Sequence, residues 1–376
     1  MDVEDVMRNN LPFGMRANRH DHGAGQRSKQ ASRWRWAGLA CLSALNIAGA
    51  QAAGKVKVVD MGELAVGLGS DASAINNAGR TVGRAISAVD FQYRQVVWDG
   101  LAISEFSHCC AGFLPDIQSI NLAGDVVGHY KATKVHWVPV RWDAQGTSYA
   151  LPALGPFGFG KAWAVNDAGQ IAGSSVDAND DIHAVVWQPD GSLVDLGFLG
   201  EPAPEFKRFS EARGINASGV VVGQALVGNQ YQAFSWRNGT FTDLGPGAAT
   251  HINNNGLMAG YLPGFIPVSW TNGVKKKLPA LGGGKTAYGH QVNGINNAGD
   301  LVGFAPAPSP GVFTIAVLWR GGKVIQLGHY PGGTNSYATG INDQGQIVGA
   351  GNLVAGGPHH ALRWTVKGKA ITVSAP

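Results

Sequence analysis

The residues of this chain that could do chemistry are acidic side chains in glycine-rich loops. Cleavage of a glycosidic bond requires two carboxyl groups that flank the same bond. The candidate carboxyl groups belong to Asp177, Asp180, Asp181, Glu201, Glu205 and Glu211. Their spacing singles out no pair, and the histidines are scattered without the close grouping of zinc ligands. A G-x-S-x-G nucleophile turn and a complete phosphate-binding loop are also missing. We therefore predict no catalytic residue and no cofactor.

Residues 177–181, DANDD, offer several oxygen atoms of the kind that calcium prefers. The segment lacks the central glycine and the distal glutamate of the helix-flanked calcium loop. The sequence therefore predicts no metal site, and calcium binding at this segment is kept as the alternative.

Aromatic side chains with polar neighbours form a second group of candidate functional residues. Tyrosine provides a rigid amphipathic contact area, which suits a sugar ring or a protein surface. The alternative role for each side chain is packing within its own loop. The ligand-binding candidates are Tyr93, Tyr130, Trp163, Arg213, Tyr231, Tyr261, Tyr288, His290 and Tyr330.

Seven near-copies of one motif must position these residues. Each copy reads apolar-Asn-x-x-Gly and is followed by a second glycine, as in INDQGQIVG from Ile341. The anchor asparagines are Asn76, Asn121, Asn166, Asn216, Asn253, Asn296 and Asn342. A tryptophan follows the second glycine in every repeat, at Trp98, Trp142, Trp187, Trp236, Trp270, Trp319 and Trp364. We interpret these tryptophans as core residues of a repeat architecture.

Each repeat divides into four short strands, which is typical of a β-propeller blade. The first strand ends at the anchor asparagine, the third ends at the tryptophan, and the fourth ends as in GTFTDLG at 239–245. Asparagine can hydrogen bond to its own backbone and glycine accepts a positive φ, so Asn-x-x-Gly predicts a tight hairpin with a structural asparagine. We predict an all-β fold, a β-propeller of seven blades with four antiparallel strands each.

Ring closure can use either end of the chain. Residues 55–64, KVKVVDMGEL, match the fourth-strand pattern before the first repeat begins, and residues 369–374, KAITVS, offer another fourth strand after the last one. Because an open ring would leave exposed sheet edges, we expect one or both segments to complete the last blade.

The repeats resemble those of the bacterial HAF-type extracellular repeat family. The family's His-Ala-Phe-like third strand is matched, with departures, at residues 183–185, 232–234 and 360–362. Its Asp-Leu-Gly fourth strand is matched at residues 195–197 and 243–245, and the Ile-Asn-x-x-Gly hairpin recurs throughout. The resemblance covers residues 55–374 and implies export. It implies no activity.

Variation between repeats is concentrated at one end of the predicted blades. The connections from strand two to three and from strand four to the next blade are long and dissimilar, so we expect ligands to bind there. The position three residues before each anchor asparagine, in the first strand, also varies between repeats. We expect its side chains to form a ring of mixed, mostly polar residues at the mouth of the central channel: Ser73, Gln118, Trp163, Arg213, Thr250, Asn293 and Thr339.

The N-terminal segment has the layout of a secretory signal. Basic residues at 27–36 precede the apolar stretch at 37–50, which ends in small residues that suit cleavage. We predict a leader at 1–52, a propeller at 53–376, and a location outside the cytoplasm, as a secreted, periplasmic or cell-surface protein. An uncleaved anchor is the alternative, although the apolar stretch is shorter than the roughly 20 residues of a spanning helix. We expect no stable membrane span in the mature chain.

Charge and cysteine usage narrow the partners further. The leader accounts for most of the net charge of +4, so no basic patch for nucleic acid is expected. Cys109 and Cys110 are the cysteines outside the leader, and they predict either a strained vicinal disulfide, two thiols or a dimer crosslink. The predicted function is a binding or scaffold module for an extracellular glycan or protein. The alternative is a propeller enzyme, a hydrolase or lyase acting on extracellular glycan or polymer.

Overall fold

The computed structural model describes residues 56–107, 115–133, 135–281, 289–307 and 313–366. In these residues the chain forms 28 β-strands in seven four-stranded antiparallel sheets and no α-helix. The predicted seven-bladed β-propeller is therefore confirmed. Cys109, Cys110, Tyr288 and the segment 369–374 lie outside the described residues.

The blades follow the order of the chain. Strand β1 (Val56–Asp60) comes before blade 1, which comprises β2 (Ser70–Ile75), β3 (Thr81–Ile86), β4 (Tyr93–Asp99) and β5 (Ala102–Ser107). Blade 2 comprises β6 (Asp116–Ile120), β7 (Val126–Lys131), β8 (Trp137–Trp142) and β9 (Ser148–Ala150). Blade 3 comprises β10 (Gly160–Val165), β11 (Ile171–Val176), β12 (Ile182–Trp187) and β13 (Leu193–Gly197). Blade 4 comprises β14 (Ser210–Ile215), β15 (Val221–Val227), β16 (Gln230–Arg237) and β17 (Thr240–Pro246).

The remaining blades repeat this arrangement. Blade 5 comprises β18 (Ala248–Ile252), β19 (Met258–Leu262), β20 (Ile266–Thr271) and β21 (Val274–Lys277). Blade 6 comprises β22 (Gln291–Ile295), β23 (Leu301–Pro306), β24 (Thr314–Arg320) and β25 (Lys323–Gln326). Blade 7 comprises β26 (Ser336–Ile341), β27 (Gln346–Asn352) and β28 (His359–Val366), and its fourth strand is β1. The first strands of neighbouring blades contact one another, which makes them the innermost strands of the ring.

Strand β1 closes the ring from the N-terminal side. It pairs antiparallel with β28, and Val58 lies opposite Trp364. Val56 and Val58 pack against the apolar cluster of blade 7. Of the two segments that the sequence offered for closure, the N-terminal one therefore closes the ring, while 369–374 lies outside the described residues.

The conserved glycine and tryptophan of the repeat pack the blades. Six of the seven repeat tryptophans are buried, while Trp236 of blade 4 is only half-buried. In that blade Phe234 is fully buried instead, against Gly223. A Cβ atom on Gly223 would clash with the backbone carbonyl of Glu211 and with the Phe234 ring, which explains why the second glycine of the motif recurs.

The anchor asparagines form a closed ring of hydrogen bonds around the axis. Each Nδ2 donates to the backbone carbonyl of the next anchor asparagine, from Asn76 to Asn121 at 2.9 Å and finally from Asn342 back to Asn76 at 3.0 Å. The five intermediate bonds are also present. In blade 1, Asn76 Oδ1 accepts the backbone N–H groups of Ala78 and Arg80, which fixes the turn. The predicted structural role of the asparagines is thus supported by their contacts.

Candidate binding face around the channel mouth

The two ends of the propeller differ in chemistry. One end carries the seven Asn-x-x-Gly turns, and we call it the Asn-turn face. The other end carries the dissimilar connections, such as residues 87–92, 132–136 and 151–159, and we call it the variable-loop face. Each innermost strand begins at the variable-loop face, so its first residues surround the mouth of the axial channel.

The Asn-turn face satisfies most of its own polar groups. In five blades, the side chain that follows the anchor asparagine accepts a hydrogen bond from a backbone N–H of the neighbouring blade. These acceptors are Asn77, Asp167, Asn254, Asn297 and Asp343. Leu122 and Ala217 occupy the other two positions. A depression of about 180 Å³ lies on the axis here. Because its polar rim is hydrogen-bonded to itself, it offers few unused groups to a ligand.

The variable position of the innermost strand is a β-bulge in every blade. The pairing register shifts around this residue in all seven blades, so one extra residue is inserted each time. The inserted residues are Ser73, Gln118, Trp163, Arg213, Thr250, Asn293 and Thr339. They are the mixed ring that the sequence predicts, and a bulge re-aims a side chain away from the regular pleat.

Trp163 and Arg213 form a compact triad with Glu211. The Arg213 guanidinium lies 3.8 Å from the centroid of the Trp163 ring, and its Nε is 2.7 Å from Glu211 Oε2. The N–H direction is poorly aligned for a hydrogen bond, so this contact is an ion pair. Trp163 Nε1 donates to Glu211 Oε1 at 2.8 Å. Since Glu211 is 6% exposed and Arg213 is 16% exposed, the triad acts mainly on itself and forms one wall of the mouth.

Tyr231 of blade 4 and Tyr261 of blade 5 lie next to the same wall. Tyr261 donates its hydroxyl to Gln224 at 3.5 Å, and Gln224 Nε2 donates to Glu211 at 3.4 Å. Burial raises the pKa of both tyrosines. The Glu211 charge adds to this effect, while for Tyr261 the Arg213 charge partly opposes it. Both hydroxyls therefore stay protonated near neutral pH and can donate hydrogen bonds.

A cluster of aromatic rings and ammonium groups lies across blades 2 and 3. The His129 ring packs edge-on against Trp137 at 5.0 Å and Trp163 at 4.8 Å. Lys131 Nζ and Lys161 Nζ lie 5.6 and 5.4 Å from the Trp137 ring centroid. Burial, followed by the charge of Lys161, lowers the pKa of His129 to about 3, so this histidine is neutral.

Beside this cluster, three rings stack in a row that we call the aromatic platform: His136, Phe159 and Phe157. The rings of His136 and Phe159 are nearly parallel, with centroids 3.9 Å apart, and the Phe157 ring lies 5.8 Å from that of Phe159. Phe157 is 72% exposed. An exposed ring of this kind, held in place by its neighbours, can contact a ligand without first being ordered.

A second polar centre lies where blade 7 meets blade 1. Asp71 accepts hydrogen bonds from Arg84 Nε at 3.0 Å and from the Tyr337 hydroxyl at 2.7 Å, and His359 Nδ1 is 3.6 Å away. Arg84 also lies over the Tyr93 ring at 4.7 Å. Burial alone would raise the pKa of Asp71, but His359, Arg84 and Tyr337 together lower it to about 2.

Asp116 holds the same position in blade 2 that Asp71 holds in blade 1. Burial raises the pKa of Asp116, and the charges of Arg84 and Lys161 only partly oppose this. Two carboxyl groups on adjacent innermost strands thus have pKa values shifted in opposite directions. A pair of this kind can divide the roles of proton donor and proton acceptor.

The structure places the predicted ligand-binding residues in three groups. Trp163, Arg213, Tyr231 and Tyr261 come together at the triad, and Tyr93 joins the Asp71 centre. Tyr130 and Tyr330 pack against apolar clusters instead. His290 is buried, and its Nε2 accepts the backbone N–H of Leu281. Tyr93, Tyr130, Tyr231 and Tyr261 lie in strands and not in the loops where we expected them.

Sequence reasoning passed over the position two residues before each bulge, which is charged in four of the seven blades. These positions hold Asp71, Asp116, Lys161, Glu211, Ala248, Gln291 and Tyr337. The signal was available, because each of them lies five residues before an anchor asparagine. It was not used because Glu211 was considered only as a loop carboxylate.

The DANDD segment is organised as a turn. Asp177 Oδ1 accepts the backbone N–H groups of Asn179 and Asp181 at 2.8 and 2.9 Å. Its Oδ2 is 3.5 Å from His183 Nε2, and His183 Nδ1 contacts Asp195 at 2.9 Å. Within the described ranges, no group of three metal-ligating side chains comes together.

Comparison with solved structures agrees with the fold. A streptogramin B lyase shares 10% identity with this chain at a TM-score of 0.51, over 83% of this chain and 98% of the lyase. A puromycin hydrolase mutant complexed with PGG shares 12% identity at a TM-score of 0.50, over 77% of this chain but only 51% of the hydrolase. At these identities the likeness shows the fold alone. No family model and no curated protein matches the sequence.

One further property bears on possible partners. In the part of the chain that the structure describes, no helical segment has the length and hydrophobicity needed to cross a lipid bilayer.

Proposed function

We propose that this protein is an exported binding module that holds an extracellular glycan or protein ligand on its variable-loop face. One observation carries the proposal, namely the contrast between the two faces. The Asn-turn face repeats one hydrogen-bonded design seven times, while the variable-loop face gathers exposed aromatic rings and charges that differ between blades. Differences between the units of a repeat scaffold are where recognition is usually built. Export is supported by the layout of the N-terminal segment and by the resemblance to HAF-type repeats.

A glycan array, probed with the purified protein with and without calcium, tests this function. The expected result is saturable binding to a related set of sugars. Phe157→Ala should weaken that binding by about fivefold, since a well-placed aromatic contact contributes about 1 kcal/mol. Leu122→Ala, which removes an exposed apolar side chain from the Asn-turn face, is the matched control and should leave binding unchanged. Equal losses in both variants would contradict the assignment of the face.

The enzymatic alternative rests on Asp71 and Asp116, which lie on neighbouring innermost strands and have pKa values shifted in opposite directions. If the protein cleaves a polysaccharide, reducing ends should accumulate over time, and Asp71→Asn or Asp116→Asn should abolish their release. Asp190→Asn, in an exposed turn of blade 3, is the control for the loss of a negative charge. Turnover that survives both substitutions at the channel mouth rules out this pair as the catalytic carboxyl groups.

A further inference from the structure

Blades 2 and 3 bring the aromatic platform and two lysines to the same end of the molecule. Phe159 immediately precedes β10, and Lys161 is the second residue of that strand. In the pairing of β7 with β8, Lys131 lies opposite Trp137. Trp137 directly follows His136 in the chain. The rings and the ammonium groups therefore border one continuous surface, which runs from Phe157 toward the channel mouth.

The charge of this surface is positive on the lysine side. The ion pairs among the described residues use arginine and histidine, and none includes Lys131. Asp116 is close enough to Lys161 for their charges to interact, and Glu211 is already paired with Arg213. A ligand group that faces Lys131 would thus meet a cation that has no carboxylate partner among the residues that the structure describes.

The rings add a second requirement on the ligand. The Phe157 ring lies 5.8 Å from the Phe159 ring at an interplanar angle of 22°, and most of its side chain is exposed to a ligand. Flat apolar faces suit the C–H faces of sugar rings, and the hydroxyls of such a ligand can still reach polar groups at the rim. A ligand that carries both a ring face and an anionic group would satisfy the platform and the lysine together.

We infer that the surface formed by Phe157, Phe159, His136 and Lys131 is a subsite for an acidic polysaccharide, in which a sugar ring stacks on the platform and a carboxylate or sulfate faces Lys131. This inference rests on the proposed binding function and names the chemical class of its ligand. The carboxylate and the sulfate share the chemistry that Lys131 would recognise, and the experiment separates them.

Native gel retardation of the full-length protein provides the test. The gels contain polygalacturonate, dextran sulfate, neutral dextran or single-stranded DNA, each over a range of concentrations. We expect retardation by one or both acidic polysaccharides and none by neutral dextran. Lys131→Gln should weaken binding by about fivefold, as should Phe157→Ala. Lys277→Gln removes the same charge from an exposed position in blade 5 and should have no effect.

Each outcome bears on the inference. Weakening by Lys277→Gln equal to that by Lys131→Gln would overturn it, because binding would then follow net charge alone. Retardation by single-stranded DNA without acidic polysaccharide would also overturn it, in favour of a nucleic-acid ligand. Binding of neutral glycans that Phe157→Ala weakens would overturn the acidic class while leaving the proposed function intact. If the folded protein binds no polysaccharide here and no glycan on the array, both the inference and the glycan form of the proposed function fail.

Discussion

Removing one anchor asparagine should destabilise the whole propeller. Asn216 is 5% exposed and makes three hydrogen bonds with its side chain. Its Nδ2 donates to the Asn253 carbonyl at 3.2 Å, and its Oδ1 accepts the backbone N–H groups of Ser218 and Val220 at 3.1 and 3.0 Å. Asn216→Ala would remove one link of the axial ring and both side-chain bonds to the blade 4 turn, while the two backbone bonds of residue 216 in that turn remain.

The size of the effect follows from the burial of these bonds. A net hydrogen bond contributes about 1 kcal/mol, and a buried polar group left without a partner costs about 1–3 kcal/mol. The bond to Asn253 is buried, whereas the two turn amides can partly recover by bonding to water. We therefore expect the free energy of unfolding to fall by about 3 kcal/mol, and the melting temperature to fall by about 4–5 °C, since the unfolding entropy of a propeller of this length makes 1 kcal/mol equal to roughly 1.5 °C.

Thermal unfolding followed by circular dichroism and by tryptophan fluorescence measures this loss. Gln145→Ala, at an exposed turn position of blade 2, is the control and should change stability by less than about 0.5 kcal/mol. A change below about 1 kcal/mol in Asn216→Ala would refute the reasoning, because the ring would then be a consequence of the fold and not one of its supports.

Three further predictions concern the Asn-turn face and the ring closure. Ala217→Asn places an acceptor beside the Asp167 backbone N–H, as in the five blades that already have one, so urea unfolding should show about 0.5 kcal/mol of added stability. Val58→Asp puts a charge into the apolar cluster of blade 7 and should cost about 2–4 kcal/mol in the same assay, whereas Lys57→Asp on the exposed side of β1 should cost under about 0.5 kcal/mol. The contact with Asp60 raises the pKa of His360 in the folded protein. The stability that this contact contributes is therefore fully present below pH 6.5, the pKa of an ordinary histidine, and is lost as pH rises through the pKa of the folded state. As pH rises through this range, the urea midpoint of the wild type should fall more than that of His360→Gln. Parallel plots of midpoint against pH for the two proteins would contradict this.

The architecture could be predicted from the sequence because each blade repeats the same local chemistry. The Asn-x-x-Gly turn, the second glycine and the tryptophan each specify a local structure, and seven copies reinforce the assignment. The strand that closes the ring was harder to predict, because segments near both ends of the chain match the fourth-strand pattern. The three-dimensional pairing of β1 with β28 then showed that the N-terminal segment takes part in closure.

The candidate site was harder to predict because it depends on contacts between blades. Trp163 and Arg213 could be found from the sequence because they are unusual residues at the bulge position of the repeat. Glu211, which contacts both of them, lies two residues before a bulge, as Asp71 and Asp116 do, and that position was not compared between repeats. The stacking of His136 on Phe159 joins two loops that are separate in the sequence. Tyr130 shows the converse limit, since a tyrosine at the end of a strand can pack inward as readily as it can face a ligand.

The central claim, that ligands bind on the variable-loop face, is tested most directly by hydrogen–deuterium exchange with and without the tightest ligand from the glycan array. We predict that protection will appear in residues 132–136 and 151–159, while the seven Asn-x-x-Gly turns stay unchanged. Protection centred on those turns and absent from the two loops would contradict the account.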